Sequence, residues 1–97
     1  MTVELGPIAQ EELERARDRY EDEREGLGAE FVDEMERLIR EIAERPLTYG
    51  LLPRTRARRA FGQRFPYMRV FFVLPDKVRV VCVAHQHRRP RYWRGRS

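Results

Sequence analysis

Two histidines spaced two residues apart, His85-Gln86-His87, run directly into Arg88, Arg89, Pro90, Arg91, Tyr92 and Trp93, and no other stretch of the chain is as well equipped for chemistry. On an extended strand His85 and His87 fall on one side, as a pair of metal ligands would. No third or fourth ligand stands at a matching spacing, so no metal is expected. An imidazole that titrates near neutrality can also serve as a general acid or base when a substrate proton is within reach. The competing role for His85 is structural, at a strand end. No Gly-rich phosphate loop, nucleophile elbow or Cys–His pairing is present, and no cofactor is expected. The cations are a stronger signal: Arg54, Arg56, Arg58, Arg59, Arg64, Arg88, Arg89, Arg91, Arg94 and Arg96. Interleaved with Tyr92 and Trp93, they supply what phosphate contact plus base stacking requires. An acidic protein segment would seek the same surface.

Charge is segregated along the chain. Residues 1–45 hold 15 acidic and 7 basic side chains, a balance of −8, whereas residues 46–97 hold 1 and 13, a balance of +12. Such a field concerns partners rather than fold. Of the 20 basic residues only Lys77 is lysine, which suits bidentate recognition of phosphate or carboxylate and is equally what codon bias would produce. At 97 residues the expectation is one domain spanning 1–97, too small for a roomy cavity between lobes. No run of about 18 apolar residues is present to span a membrane, and Met1-Thr2-Val3-Glu4-Leu5 lacks the basic start of a secretion signal. With one cysteine, Cys82, no internal disulfide can form; a cytoplasmic location is expected, with Cys82 a small core residue.

The elements that must position the cations follow from periodicity. Thr2 to Leu5 alternates as a short strand and ends at Gly6-Pro7, a helix start. Ala9, Leu13, Ala16 and Tyr20 then form one stripe of a helix with its other faces charged and solvated. Gly26 is a left-handed break. Phe31, Met35, Leu38 and Ile42 repeat the spacing, and Val32, Ile39 and Ala43 widen it, which predicts a second, more deeply buried helix ended by Pro46. After a loop from Leu47 to Pro53, the stretch Arg56 to Phe65 reads as a charged strand with a bulge at Gly62. Two apolar runs around Pro75-Asp76-Lys77 make a hairpin. Its register is open: a two-residue loop sets Arg79 and His85 opposite Arg69, and a three-residue loop puts all three on one face. The tail after Trp93 is expected to fray. The fold class is α+β, in the order β-α-α-β-β-β, with a twisted, mainly antiparallel sheet packed by a helical hairpin.

The helical hairpin with Tyr20 and Gly26-Leu27-Gly28, the Pro46 stop, Arg58-Arg59, Phe65-Pro66-Tyr67, Ala84-His85, Arg88-Arg89-Pro90 and Trp93 together resemble a toxin of the RelE/ParE superfamily. The resemblance covers nearly the whole chain and implies the toxin half of a type II toxin–antitoxin pair, held inactive by an acidic antitoxin that folds on binding. The superfamily's ribosome-dependent branch cleaves messenger RNA; a nuclease of that kind would draw on Arg59, His85, Arg88 and Tyr92. That branch has basic residues where this chain has Met68 and Phe61, and the Phe65-Pro66-Tyr67 and Arg-Arg-Pro features look more like the ParE branch, which inhibits DNA gyrase by binding it. The resemblance therefore implies target contacts from Arg58, Arg59, Arg88, Arg89, Arg91, Tyr92 and Trp93. Antitoxin contacts are expected at Phe31, Met35, Leu38, Arg56 and Arg64. The alternatives are a ribosome-dependent messenger-RNA endonuclease and a non-toxic basic nucleic-acid-binding module.

Overall fold

The alternating Thr2–Leu5 segment forms strand β1, and Pro7 opens helix α1, Pro7–Glu23, directly after it. The structure is a computed structural model that describes residues 1–86 and 93–96. Helix α2 spans Leu27–Glu44 and is followed by a 3-10 turn at Pro46–Thr48. Three strands complete the order: β2 Arg58–Phe61, β3 Tyr67–Val73 and β4 Lys77–His85. The class is α+β, as the apolar spacing predicts. The sheet runs β1-β4-β3-β2, with β1 parallel to β4 and the other pairs antiparallel. No helix among the described residues is long and apolar enough to cross a membrane.

Between the helices the chain reverses at Gly26, whose φ of 88° lies in the left-handed region that favours glycine. The Glu21 carboxylate accepts hydrogen bonds from the Gly26 and Gly28 backbone N–H groups at 3.0–3.1 Å. A side chain at the end of α1 thus caps the start of α2, whose first N–H groups have no helical partner. Helix α2 is the deeper of the two: it buries Phe31, Met35, Leu38 and Ile42, against only Ala9 and Ala16 in α1. These residues meet Tyr67, Phe71, Val78, Val80 and Val83 from the sheet in one core. A second core, of Ala57, Met68, Val70, Val81, Cys82, Ala84 and Trp93, lies on the other face of the sheet. Among the described residues no helix packs on that face. The segment leading into β2 and the chain around Trp93 cover it instead.

A buried carboxylate ties the layers together. Glu34, 6% exposed, accepts hydrogen bonds from the backbone N–H of Arg64 at 2.7 Å and of Phe65 at 3.0 Å. An ionised acceptor makes these stronger than neutral bonds. They fix the turn between β2 and β3 beneath α2. Gly62 is not a bulge, as its place in the charged stretch suggests, but a site of close approach. A Cβ there would come within 2.7 Å of Glu34 Oε2 and 2.8 Å of the Phe65 carbonyl. The strand around it is correspondingly short, Arg58–Phe61 rather than Arg56 to Phe65.

The bulge lies in β4. Val73 pairs with Val78 and Phe71 with Val80, as a Pro75-Asp76 loop requires, but Val70 pairs with Cys82, so Val81 is the extra residue. One inserted residue reverses the facing of everything beyond it. Arg79 therefore sits opposite Arg69, as the two-residue loop predicts, while His85 comes round to the face of Arg69 and Tyr67. Neither uninterrupted register describes the hairpin.

Two expectations follow. Glu34→Ala leaves two backbone donors without their acceptor, each costing about 1–3 kcal/mol when buried. It should lower stability by about 2–4 kcal/mol in urea unfolding with an unchanged slope. Cys82, fully buried, should react with a thiol reagent only as fast as the chain unfolds. Labelling within the mixing time under native conditions would contradict the second core.

Candidate functional site

Four aromatic rings carry the end of the sheet from which the cationic segment departs. Tyr20 of α1 lies 5.1 Å from Phe31, 4.9 Å from Phe65 and 6.0 Å from Tyr67 between ring centroids, and Phe31 lies 5.4 Å from Phe65 and 5.2 Å from Tyr67. Most are edge-to-face, the arrangement the ring quadrupole favours. Burial pushes the Tyr20 phenol above its ordinary pKa, so it stays protonated. The cluster holds Tyr67, and Tyr67 in turn meets His85 edge-to-face at 5.6 Å. His85 is half-buried and closes β4.

Beside these rings is a cleft of about 260 Å³, walled by Glu12, Arg15, Ala16 and Arg19 of α1 and by Tyr67, Val83, Ala84 and His85 of the sheet. The Arg19 guanidinium lies over the Tyr67 ring, 5.7 Å from its centroid, a cation–π contact that holds the charge at the mouth. Arg15 and Arg19 were read from the sequence as part of a solvated helix face. The signal that separates them is their four-residue spacing, one helical turn, on the flank next to the buried stripe of Ala16 and Tyr20. Glu12 accepts hydrogen bonds from the Val83 backbone N–H at 2.9 Å and from the Arg96 guanidinium at 3.0 Å, and Arg96 also donates to the Val81 carbonyl at 3.1 Å. The tail after Trp93 is therefore tied to α1 and β4 at Arg96, in place of the expected fraying.

The named site residues separate into distinct places. Arg59 and Phe61 stand on the sheet face away from the helices, where Arg59 pairs with Val70 and its guanidinium stacks 4.8 Å from the Phe61 ring centroid. His85, paired with Tyr67, stands on the helix-covered face. Arg59 and His85 are thus not brought together. Arg58 is a structural latch: its guanidinium donates to the carbonyls of Leu47 at 3.3 Å and Tyr49 at 2.6 Å. Trp93, expected at an exposed contact, is 5% exposed and packs against Phe72. Its indole packs into the second core and anchors the chain there. Phe31, Met35 and Leu38 lie in the first core, because the sheet occupies the stripe that was expected to receive an antitoxin. Arg56 and Arg64 are exposed, and Arg64 pairs with Glu30 and stacks 5.0 Å from the Phe65 ring centroid. His87, Arg88, Arg89, Arg91 and Tyr92 lie outside the described residues.

No protein-family model matches the chain, and no curated protein matches it in sequence.

The cleft can hold an anion by charge and an apolar or aromatic group against Tyr67. Replacing Arg15 and Arg19 together by Ala should lower the melting temperature by no more than about 5 °C, since Arg15 is exposed and the Arg19–Tyr67 contact is worth about 0.5–1 kcal/mol. It should also move elution from a heparin column to clearly lower salt, in keeping with fewer cation–anion contacts. Unchanged retention would mean that the flank does not contribute to polyanion binding.

Proposed function

We propose that this protein is the toxin of a type II toxin–antitoxin pair of the RelE/ParE kind, and that it acts by binding DNA gyrase rather than by cutting RNA. The observation that carries the choice is the separation of Arg59 from His85 on opposite faces of the sheet. A nuclease needs its charge stabiliser and its proton-transfer group around one phosphate, within about 3 Å of the reacting atoms. A binding protein needs no such convergence. Its affinity comes from a few well-packed contacts ringed by complementary charge. Met68, buried in the second core, adds neither charge nor a proton. The β-α-α-β-β-β order supports the family reading, and the segregated charge supports an acidic antitoxin. With Phe31, Met35 and Leu38 enclosed, that antitoxin would lie along the exposed cations Arg56, Arg59 and Arg64.

Messenger-RNA cleavage is the second reading, and one arrangement favours it. Arg15, Arg19 and His85 share the cleft beside Tyr67, so cations and an imidazole do meet, though in a different set from the one the family resemblance implies.

Purified protein should inhibit gyrase supercoiling in a dose-dependent way and leave ribosome-bound message intact. Arg59→Ala and Arg19→Ala should each weaken inhibition by a graded amount, on the order of 3- to 30-fold, as single contacts do. Codon-spaced cuts in message, lost by about 10²-fold or more in His85→Ala, together with untouched gyrase, would reverse the assignment.

A further inference from the structure

At the centre of β3, between Val83 and Ala60 on the neighbouring strands, stands Arg69. It is 0% exposed and is the largest of the fully buried side chains. Its Nε, Nη1 and Nη2 atoms all lack a hydrogen-bond partner. Burial lowers its pKa to about 10, so it keeps its charge at neutral pH. A buried, unpaired guanidinium is among the costliest features a core can carry, and the fold calls for an anion beside it.

The structure has a place for one. Arg69 forms part of the wall of a cleft of about 290 Å³ between α1 and α2, whose other walls include Leu13, Val32, Met35 and Ile39. Glu14 and Glu36 also line it, from exposed positions on the two helices. Glu14 takes a hydrogen bond from Gln10 at 2.9 Å, and neither carboxylate bonds to Arg69. We propose that this cleft is a binding site for a carboxylate carried on an apolar stem, which reaches the enclosed Arg69 guanidinium as the flanking side chains of α1 and α2 shift and is gripped there by a two-pronged hydrogen bond. The planar fork of a guanidinium matches a carboxylate edge-on. Apolar walls accept a short hydrocarbon stem, and the volume is at the small end of ligand pockets. Arg17 lines the cleft as well, so its two carboxylates face two guanidiniums, and it is the apolar walls that favour an acid on a hydrocarbon stem over inorganic phosphate. This proposal is independent of the gyrase reading and of the cationic face.

The shared chemistry has two sources, a free short-chain acid or a glutamate side chain on a bound segment. Hexanoate and N-acetylglutamate N-methylamide stand for them, with hexanol and inorganic phosphate as controls, each titrated into the full chain and followed by thermal unfolding and calorimetry. Wild-type protein should show a saturable rise in melting temperature of about 2–6 °C with at least one of the two carboxylates, and none with hexanol or phosphate. Tighter binding of hexanoate identifies a free acid; tighter binding of the blocked glutamate identifies a partner's side chain. Arg69→Met, which keeps the volume and removes the buried charge, should be at least as stable as wild type and lose the carboxylate effect by about tenfold or more. The double variant Glu14→Gln/Glu36→Gln should bind the preferred acid several-fold more tightly. If neither carboxylate shifts the wild type, the proposal fails. It fails equally if the double variant is strongly destabilised and blind to both acids, for then Glu14 and Glu36 neutralise Arg69 within the chain.

Discussion

The carboxylate of Glu34 is the contact on which the arrangement of layers depends. It sits inside α2, where the Arg37 guanidinium donates to it at 3.4 Å, yet its shortest hydrogen bonds come from backbone groups of Arg64 and Phe65, thirty residues on. Charge-assisted bonds to two consecutive N–H groups define position and direction in a way that apolar contact, which is indifferent to small slides, does not. Gly62 clears the space for the oxygen, and Phe65 is thereby set against Phe31 and Tyr20. Once those rings are placed, Tyr67 follows along β3, and His85 follows across the ladder. The geometry of the cleft beside α1 therefore traces back to one acid on the other helix.

Much of this architecture was legible because it is written in apolar spacing. The stripe Phe31, Met35, Leu38, Ile42 is a helix pattern with a width that demands burial on a sheet, and it is buried. The hairpin around Pro75-Asp76 announces itself by turn residues between β-branched runs. What escaped was information that spacing does not carry. Val80-Val81-Cys82-Val83 is uniformly apolar, so nothing in it marks the bulge at Val81, and with the bulge the facing of His85 was lost. Nothing in the apolar run marks Arg69 as enclosed, because a strand in a two-layer domain has an open face by default. Here both faces of the sheet are covered, the second by loops and Trp93. That cover also explains why an indole placed among arginines behaves as a core residue.

The candidate site was legible in kind but not in membership. A basic C-terminal half and an imidazole at a strand end directed attention to the end of the sheet where the cleft beside Tyr67 lies. Arg15 and Arg19 belong to the acidic half by composition and were hidden by it, since a net balance over 45 residues says nothing about which face a cation occupies. Arg58 shows the converse: a cation counted toward a surface that instead satisfies loop carbonyls. Loop carbonyls within reach compete with any partner for an arginine's donors.

The pairing of β1 with β4 governs the order in which the molecule can assemble. Leu5 meets Val80, and the ion pair of Glu4 with Arg79 spans the same 75 residues. Helices α1 and α2 can form and dock early from local contacts, but β1 has no sheet neighbour until the last strand arrives. Closing so long a loop comes late in folding, because its entropic cost precedes its reward. On a translating ribosome the helical hairpin thus emerges first, with its apolar stripe waiting. The β2–β3 ladder can pair beforehand, but the four-stranded sheet, the cleft at His85 and the covered second face are complete only once β4 has been made.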